Sequence, residues 1–125
     1  TCQIDWSVVH DMFFMVEDQI KLESLVRIPH PEKCLILLDH AVPASTTGSA
    51  EGAAKARRFA QRHGITNFID VGDHAVIHQA LAERGYAQPG RLIAAGDSHT
   101  CAAGALGMKA GMVSGGTRPP AVPTR

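Results

Sequence analysis

At 125 residues the chain is sized for a single domain. With 45% hydrophobic and 19% charged residues and a formal net charge of zero, it lacks the basic excess of a nucleic-acid binder and any run near the roughly 20 apolar residues that cross a bilayer. Three cysteines, Cys2, Cys34 and Cys101, form neither a CxxC pair nor a zinc-ligand spacing. Without a secretory signal they fit reduced thiols in the cytoplasm or an organellar matrix. The first residue is Thr1 rather than Met, as expected of a processed product or a piece of a longer chain.

Residues 1–30 carry the weakest pattern. Trp6, Val8, Val9, Phe13, Phe14 and Val16 are apolar, and residues 17–25 can continue as an amphipathic helix. Pro29 and Pro31 then impose an extended connection. The run Cys34-Leu35-Ile36-Leu37-Leu38 suits a strand buried on both faces, and it ends at Asp39-His40. Residues 43–48 read as a loop. Ser49 is the expected N-cap of a helix over 50–63, with Ala53, Ala56, Phe59 and Ala60 on one face and Gly64 as the stop. Gly52 weakens that helix by up to about 1 kcal/mol relative to Ala, which points to close packing there or to a later start.

Residues 67–71 read as the next strand, residues 74–84 as a second helix with Val76, Ile77, Ala80 and Leu81 apolar, and residues 91–95 as a third strand. Strands alternating with helices predict βαβ units, a mostly parallel sheet and a three-layer α/β/α architecture over residues 31–107. Residues 108–125 are punctuated by Gly, Pro, Ser and Thr and contain no acid. They are expected to form a divergent, disordered tail.

Polar residues recur where strands end. Asp39-His40 follows the first predicted strand, His78 lies in the second helix, and Asp97-Ser98-His99 follows the third strand. In a parallel sheet these strand ends emerge on one edge, where small ligands bind. An Asp beside a His can orient the ring, raise its pKa and make it a proton donor. Each has a bland counterpart. Asp and Ser serve turns and caps, and a helical His such as His78 is more often structural. Ser98-His99 does not read as a hydrolase dyad, because adjacent side chains on an extended segment point apart and no GxSxG elbow is present. Cys101 has no activating neighbours. A zinc site from His40, His78 and His99 has ligands too scattered in sequence to be a signal.

The ordered blocks are more specific than any one of them. They are Asp39-His40-x-Val42-Pro43, Phe68-Ile69-Asp70-Val71-Gly72, Ile77-His78-Gln79, Pro89-Gly90, Gly96-Asp97-Ser98-His99-Thr100-Cys101 and Gly104-Ala105-Leu106-Gly107. This series resembles the aconitase superfamily, and within it the large subunits of the 3-isopropylmalate dehydratase and homoaconitase branch. Pro31-Glu32-Lys33 also fits. Val9-His10-Asp11 resembles an upstream His-Asp segment, whereas Met12-Phe13-Phe14 departs from its small, polar continuation.

The resemblance implies a fragment of a hydro-lyase that reversibly dehydrates a hydroxy-di- or tricarboxylate such as isopropylmalate. In the complete enzyme a [4Fe-4S] cluster acts as Lewis acid. Asp39 and His40 then correspond to a pair at the leaving hydroxyl, His78 to a histidine near the cluster-bound water, and Asp97 and His99 to a second pair around it. Ser98 corresponds to a hydroxyl that binds a substrate carboxylate. A small swivelling subunit or domain is the implied partner, and neither nucleic acid nor membrane is. The family's cluster cysteines lie in segments absent from this chain, and Cys2, Cys34 and Cys101 match none of them. The chain alone is therefore expected to be inactive. The competing expectations are a carboxylate-binding or interaction module without catalysis and a non-functional truncated product.

Overall fold

The structure, a computed structural model, describes residues 3–15, 27–73 and 76–112. In chain order, β1 (Trp6–His10) runs into the short helix α1 (Asp11–Met15). A 3-10 turn (Pro31–Lys33) leads into β2 (Cys34–Leu37), then α2 (Thr47–His63) and β3 (Asn67–Ile69). Helix α3 (Ile77–Glu83), β4 (Leu92–Ala95), a second 3-10 segment (Thr100–Leu106) and β5 (Lys109–Met112) complete it.

The five strands form one sheet in the order β3-β2-β1-β4-β5, and every pairing is parallel. Val8, in the central strand, pairs with Leu35 on one side and Ala95 on the other. The chain therefore winds from β1 outward to β3 and crosses back to place β4 on the far side of β1. The strand order reverses at that switch point, where a doubly wound sheet opens a crevice beyond its strand ends.

The alternation of β2 divides the core. Leu35 and Leu37 face a cluster with Val8, Ile69, Ile77, Ala80, Leu81, Ile93 and Ala103, beneath α3 and the second 3-10 segment. Ile36 and Leu38 face the opposite cluster with Phe14, Ala56, Ala60 and Ile65, beneath α1 and α2. Each face of the sheet is covered, which gives the expected α/β/α layering. Gly52 sits where α2 crosses α1. A Cβ placed on it would stand 2.7 Å from Met15 Cγ, so of the two readings of that glycine, close packing is the one observed.

Several expected boundaries move. Helix α2 begins at Thr47, and its N-cap is Thr46 rather than Ser49. Ser49 is the partner in a reciprocal capping box: Thr46 Oγ1 accepts from the Ser49 amide at 3.1 Å, and Ser49 Oγ accepts from the Thr46 amide at 3.0 Å. Strand β3 stops at Ile69, where the loop begins: Asp70 Oδ1 accepts the Val71 amide at 2.6 Å, and Gly72 takes a positive φ of 101°. Helix α3 begins at Ile77, and Val76 is an exposed N-cap rather than part of its apolar face.

The larger corrections lie at the ends. The segment expected to be least readable contains β1, the centre of the sheet. Residues 109–112, expected in a tail, form the edge strand β5. That strand is held by hydrogen bonds from Lys109 N to Arg91 O and from Gly90 N to Gly107 O, both 2.8 Å. The helix expected over 17–25 lies outside the described residues, as do residues 113–125. No helix among the described residues is long and apolar enough to cross a membrane.

Candidate functional site

The C-terminal ends of β1, β2 and β4 deliver five of the site's polar residues to one edge of the sheet. His10 ends β1 and Asp11 opens α1. Asp39 and His40 follow β2, and Asp97 follows β4. His78 reaches in from the first turn of α3, where it belongs because Asp39 Oδ2 accepts the helix's first amide, Ile77 N, at 3.0 Å. A cleft of about 220 Å³ opens between Asp39, His40, Val76, Ile77, His78, Asp97 and His99. It is a small site by the standard of drug-sized ligands.

Asp97 is its hub. It is only 6% exposed. Its Oδ1 accepts from His78 Nε2 at 2.8 Å and from the His99 amide at 2.7 Å, and its Oδ2 lies 3.3 Å from His40 Nε2. Burial alone would raise its pKa. The His99 amide, the His78 hydrogen bond and the charges of His78 and His40 outweigh burial and hold the carboxyl below its ordinary value. Thr100, fully buried, fixes the turn by donating its hydroxyl to Asp97 O at 2.6 Å.

His40 meets a carboxylate at each ring nitrogen: Asp39 Oδ1 at 2.6 Å from Nδ1 and Asp97 Oδ2 at 3.3 Å from Nε2. A carboxylate only accepts, so two of them favour the doubly protonated ring. Burial pushes the His40 pKa down, but the Asp39 hydrogen bond and the charges of Asp39, Asp11 and Asp97 together push it above the ordinary histidine value. The expected convergence of the Asp39-His40 and Asp97-His99 blocks is present, and it sets the His40 ring between two carboxylates that favour its protonated form.

Sequence reasoning assigned no role to His10 and Asp11, yet both stand behind His40. The His10 ring stacks on the His40 ring with centroids 4.2 Å apart and planes 20° from parallel. Asp11, 3% exposed, accepts the His40 amide at 3.1 Å and the Ala41 amide at 2.7 Å. The signal was available, because Val8-Val9-His10-Asp11 repeats the pattern of Leu37-Leu38-Asp39-His40, an apolar strand end followed by an imidazole and an acid. Ser98 and His99 lie at the exposed rim, with Ser98 Oγ 3.3 Å from His99 Nδ1. The expectation that these neighbours point apart fails, since the segment is a turn rather than extended chain.

Three groups bring metal-binding atoms together: His10, His40 and Asp97; His78, Asp97 and His99; and Asp11, Asp39 and His40. The first two do not fit an ion well. The His10 and His40 rings are stacked, whereas two histidines bound to one ion must each aim a ring-plane lone pair at it. His78 Nδ1 is buried with no partner among the described residues, and an ion on Nε2 would force a proton onto that nitrogen with no acceptor among them. No group, and no wall of the cleft, includes a cysteine. Cys34 sits at the start of β2, at the opposite end of the sheet from the site, and burial followed by the Glu32 charge raises its pKa. Cys101 is exposed. The described residues thus offer no thiolate cage for an iron–sulfur cluster.

The sequence pattern of the Aconitase family (aconitate hydratase) matches residues 15–118. This chain belongs to the aconitase family. Among aconitase-family relatives, the 3-isopropylmalate dehydratase large subunit of Mycolicibacterium smegmatis is 43% identical over 106 residues, which cover 85% of this chain and 24% of that protein. The 3-isopropylmalate dehydratase large subunit 1 of Methanopyrus kandleri is 42% identical over 106 residues, 83% of this chain and 25% of that protein. A probable methanogen homoaconitase large subunit of Methanothermobacter thermautotrophicus is 43% identical over 81 residues, 65% and 19% respectively. The chain spans about a quarter or less of the length of these aconitase-family relatives.

Proposed function

We propose that this chain supplies the acid–base wall of a hydro-lyase large subunit, acting on a hydroxy-di- or tricarboxylate such as isopropylmalate. The observation that carries the reading is Asp97 bridging His40 and His78 at the sheet's switch point. Dehydration needs a proton delivered to a departing hydroxyl so that it leaves as water. His40 is the donor: its carboxylate neighbours favour the protonated ring, Asp39 fixes Nδ1, and Nε2 faces Asp97 beside the cleft. Asp97 and His78 keep that proton in place and take up the charge change as it is given away. His99 and Ser98, at the open rim, meet the substrate's oxygens, with Ser98 binding a carboxylate.

The family's [4Fe-4S] cluster would polarise the hydroxyl as a Lewis acid. The thiolates that hold it must come from outside the residues described. The swivelling small subunit implied by relatives named as large subunits would close the open side of the cleft.

The test is a transplant. Residues 15–112 replace the matching segment of the Mycolicibacterium smegmatis large subunit, which is assayed with its small subunit on isopropylmalate. Dehydratase activity within about tenfold of the parent supports the reading. A folded, cluster-loaded chimera without activity removes it. If such a chimera still binds isopropylmalate by calorimetry, carboxylate binding without catalysis takes its place.

A further inference from the structure

We infer that Asp11, at the junction where the central strand β1 runs into α1, is a positioning residue for His40, so that this junction carries part of the site. The inference rests on His40 being the working imidazole proposed above. Asp11 is a buried carboxylate whose ion-pair partners among the described residues are the imidazoles of His10 and His40, and both of its oxygens are used. Oδ1 accepts the amide of His40 and Oδ2 accepts that of Ala41. Those consecutive amides belong to the turn that leaves β2, so one side chain fixes the backbone on both sides of the His40 Cα. Oδ1 also lies 3.8 Å from His40 Nδ1, behind the Asp39 contact at 2.6 Å.

His10 completes the support. Its ring covers one face of the His40 ring, and its Nε2 lies 3.5 Å from Gly96 O, on the loop that carries Asp97. The His40 ring thus has Asp39 at one nitrogen, Asp97 at the other, His10 on one face and Asp11 beneath its backbone. His40 so held still lines the cleft. An Asn at position 11 keeps one accepting oxygen but turns an amide N–H₂ toward the second backbone N–H, so one of the two bonds is lost and the turn is released. A negative charge within 4.8 Å of the Asp39 carboxylate is lost as well.

The experiment is nuclear magnetic resonance on the full chain, with no need of activity. In the wild type, scalar coupling across hydrogen bonds from His40 N and Ala41 N to the Asp11 carboxyl carbon is expected. In Asp11→Asn, exchange of the Ala41 amide accelerates on the order of tenfold, the scale of one lost hydrogen bond to a charged acceptor. The His40 ring also loses its fixed Nδ1–H signal, while the His78 Nε2–H signal to Asp97 persists. Asp11→Glu restores part of the protection. Absent couplings in the wild type overturn the inference even if the variant does not fold. So does a folded Asp11→Asn chain whose His40 signal is unchanged, or one in which His40 and His78 are disturbed alike. Failure of the transplant with these couplings intact would refute the hydro-lyase reading and leave the Asp11 geometry standing.

Discussion

His40 and Asp97 depend on each other, and their interaction sets a pH window. The His40 pKa is raised in the folded chain, so its contribution to stability is complete below about 6.5, the unfolded value, and is lost as pH rises through the folded value. The Asp97 pKa is lowered, so its contribution is complete above about 3.9, the unfolded value, and is lost as pH falls through the folded value. Stability should therefore peak between the two and decline on both sides. His40 is 35% exposed at its side chain, so solvent screening keeps the alkaline decline modest. Urea midpoints measured across pH 3 to 9 check this, a range set to bracket both ordinary values. His40→Asn should flatten the alkaline limb, and Asp97→Asn the acid limb. An unchanged alkaline limb in folded His40→Asn would show that the neighbouring carboxylates do not favour the protonated His40 ring.

At the scale of elements, the sequence announced those pieces whose pattern is local. The all-apolar Cys34–Leu37 strand, the long amphipathic α2 and its Gly64 stop are legible because buried parallel strands and capped helices leave marks within a few residues. Strand β1 was not legible. Trp6-Ser7-Val8-Val9 is short, mixes one polar residue, and gains its identity from two neighbouring strands distant in sequence. Strand β5 was hidden for the same reason: Lys109-Ala110-Gly111-Met112 has little intrinsic preference for extended structure and is fixed by the Arg91 carbonyl and by β4. The site residues Asp39, His40, His78, Asp97 and His99 were visible because each closes or follows a patterned element. His10 and Asp11 followed one whose pattern was too weak.

Gly52 makes an element-scale prediction. In an exposed helix, replacing Gly with Ala stabilises by up to about 1 kcal/mol. Here a Cβ meets Met15 Cγ at 2.7 Å and Met15 N at 3.6 Å, so Gly52→Ala should show none of that gain. Gly52→Val should cost about 1–3 kcal/mol by pushing α1 away from α2. Thermal or urea unfolding reads both, and a Gly52→Ala chain stabilised by the full propensity difference would contradict the close contact.

At the scale of the whole molecule, the described sheet is open at both sides. β3 and β5 are its edges, and strand edges invite further pairing. The described residues gather acids and imidazoles around a solvent-open cleft with no cysteine on its wall. Anaerobic treatment of the isolated chain with iron and sulfide should yield no stoichiometric cluster by metal analysis. A cluster at one per chain would overturn that expectation.

The central claim is that Asp97, through His40 and His78, carries the proton chemistry. The most direct measurement is kcat for isopropylmalate dehydration in the transplanted large subunit, with and without Asp97→Asn. A kcat lowered on the order of 10² or more with KM changed less than about threefold is the predicted result, the scale of a lost general acid–base group. A folded, cluster-loaded Asp97→Asn chimera with kcat within about threefold of its parent would contradict the claim.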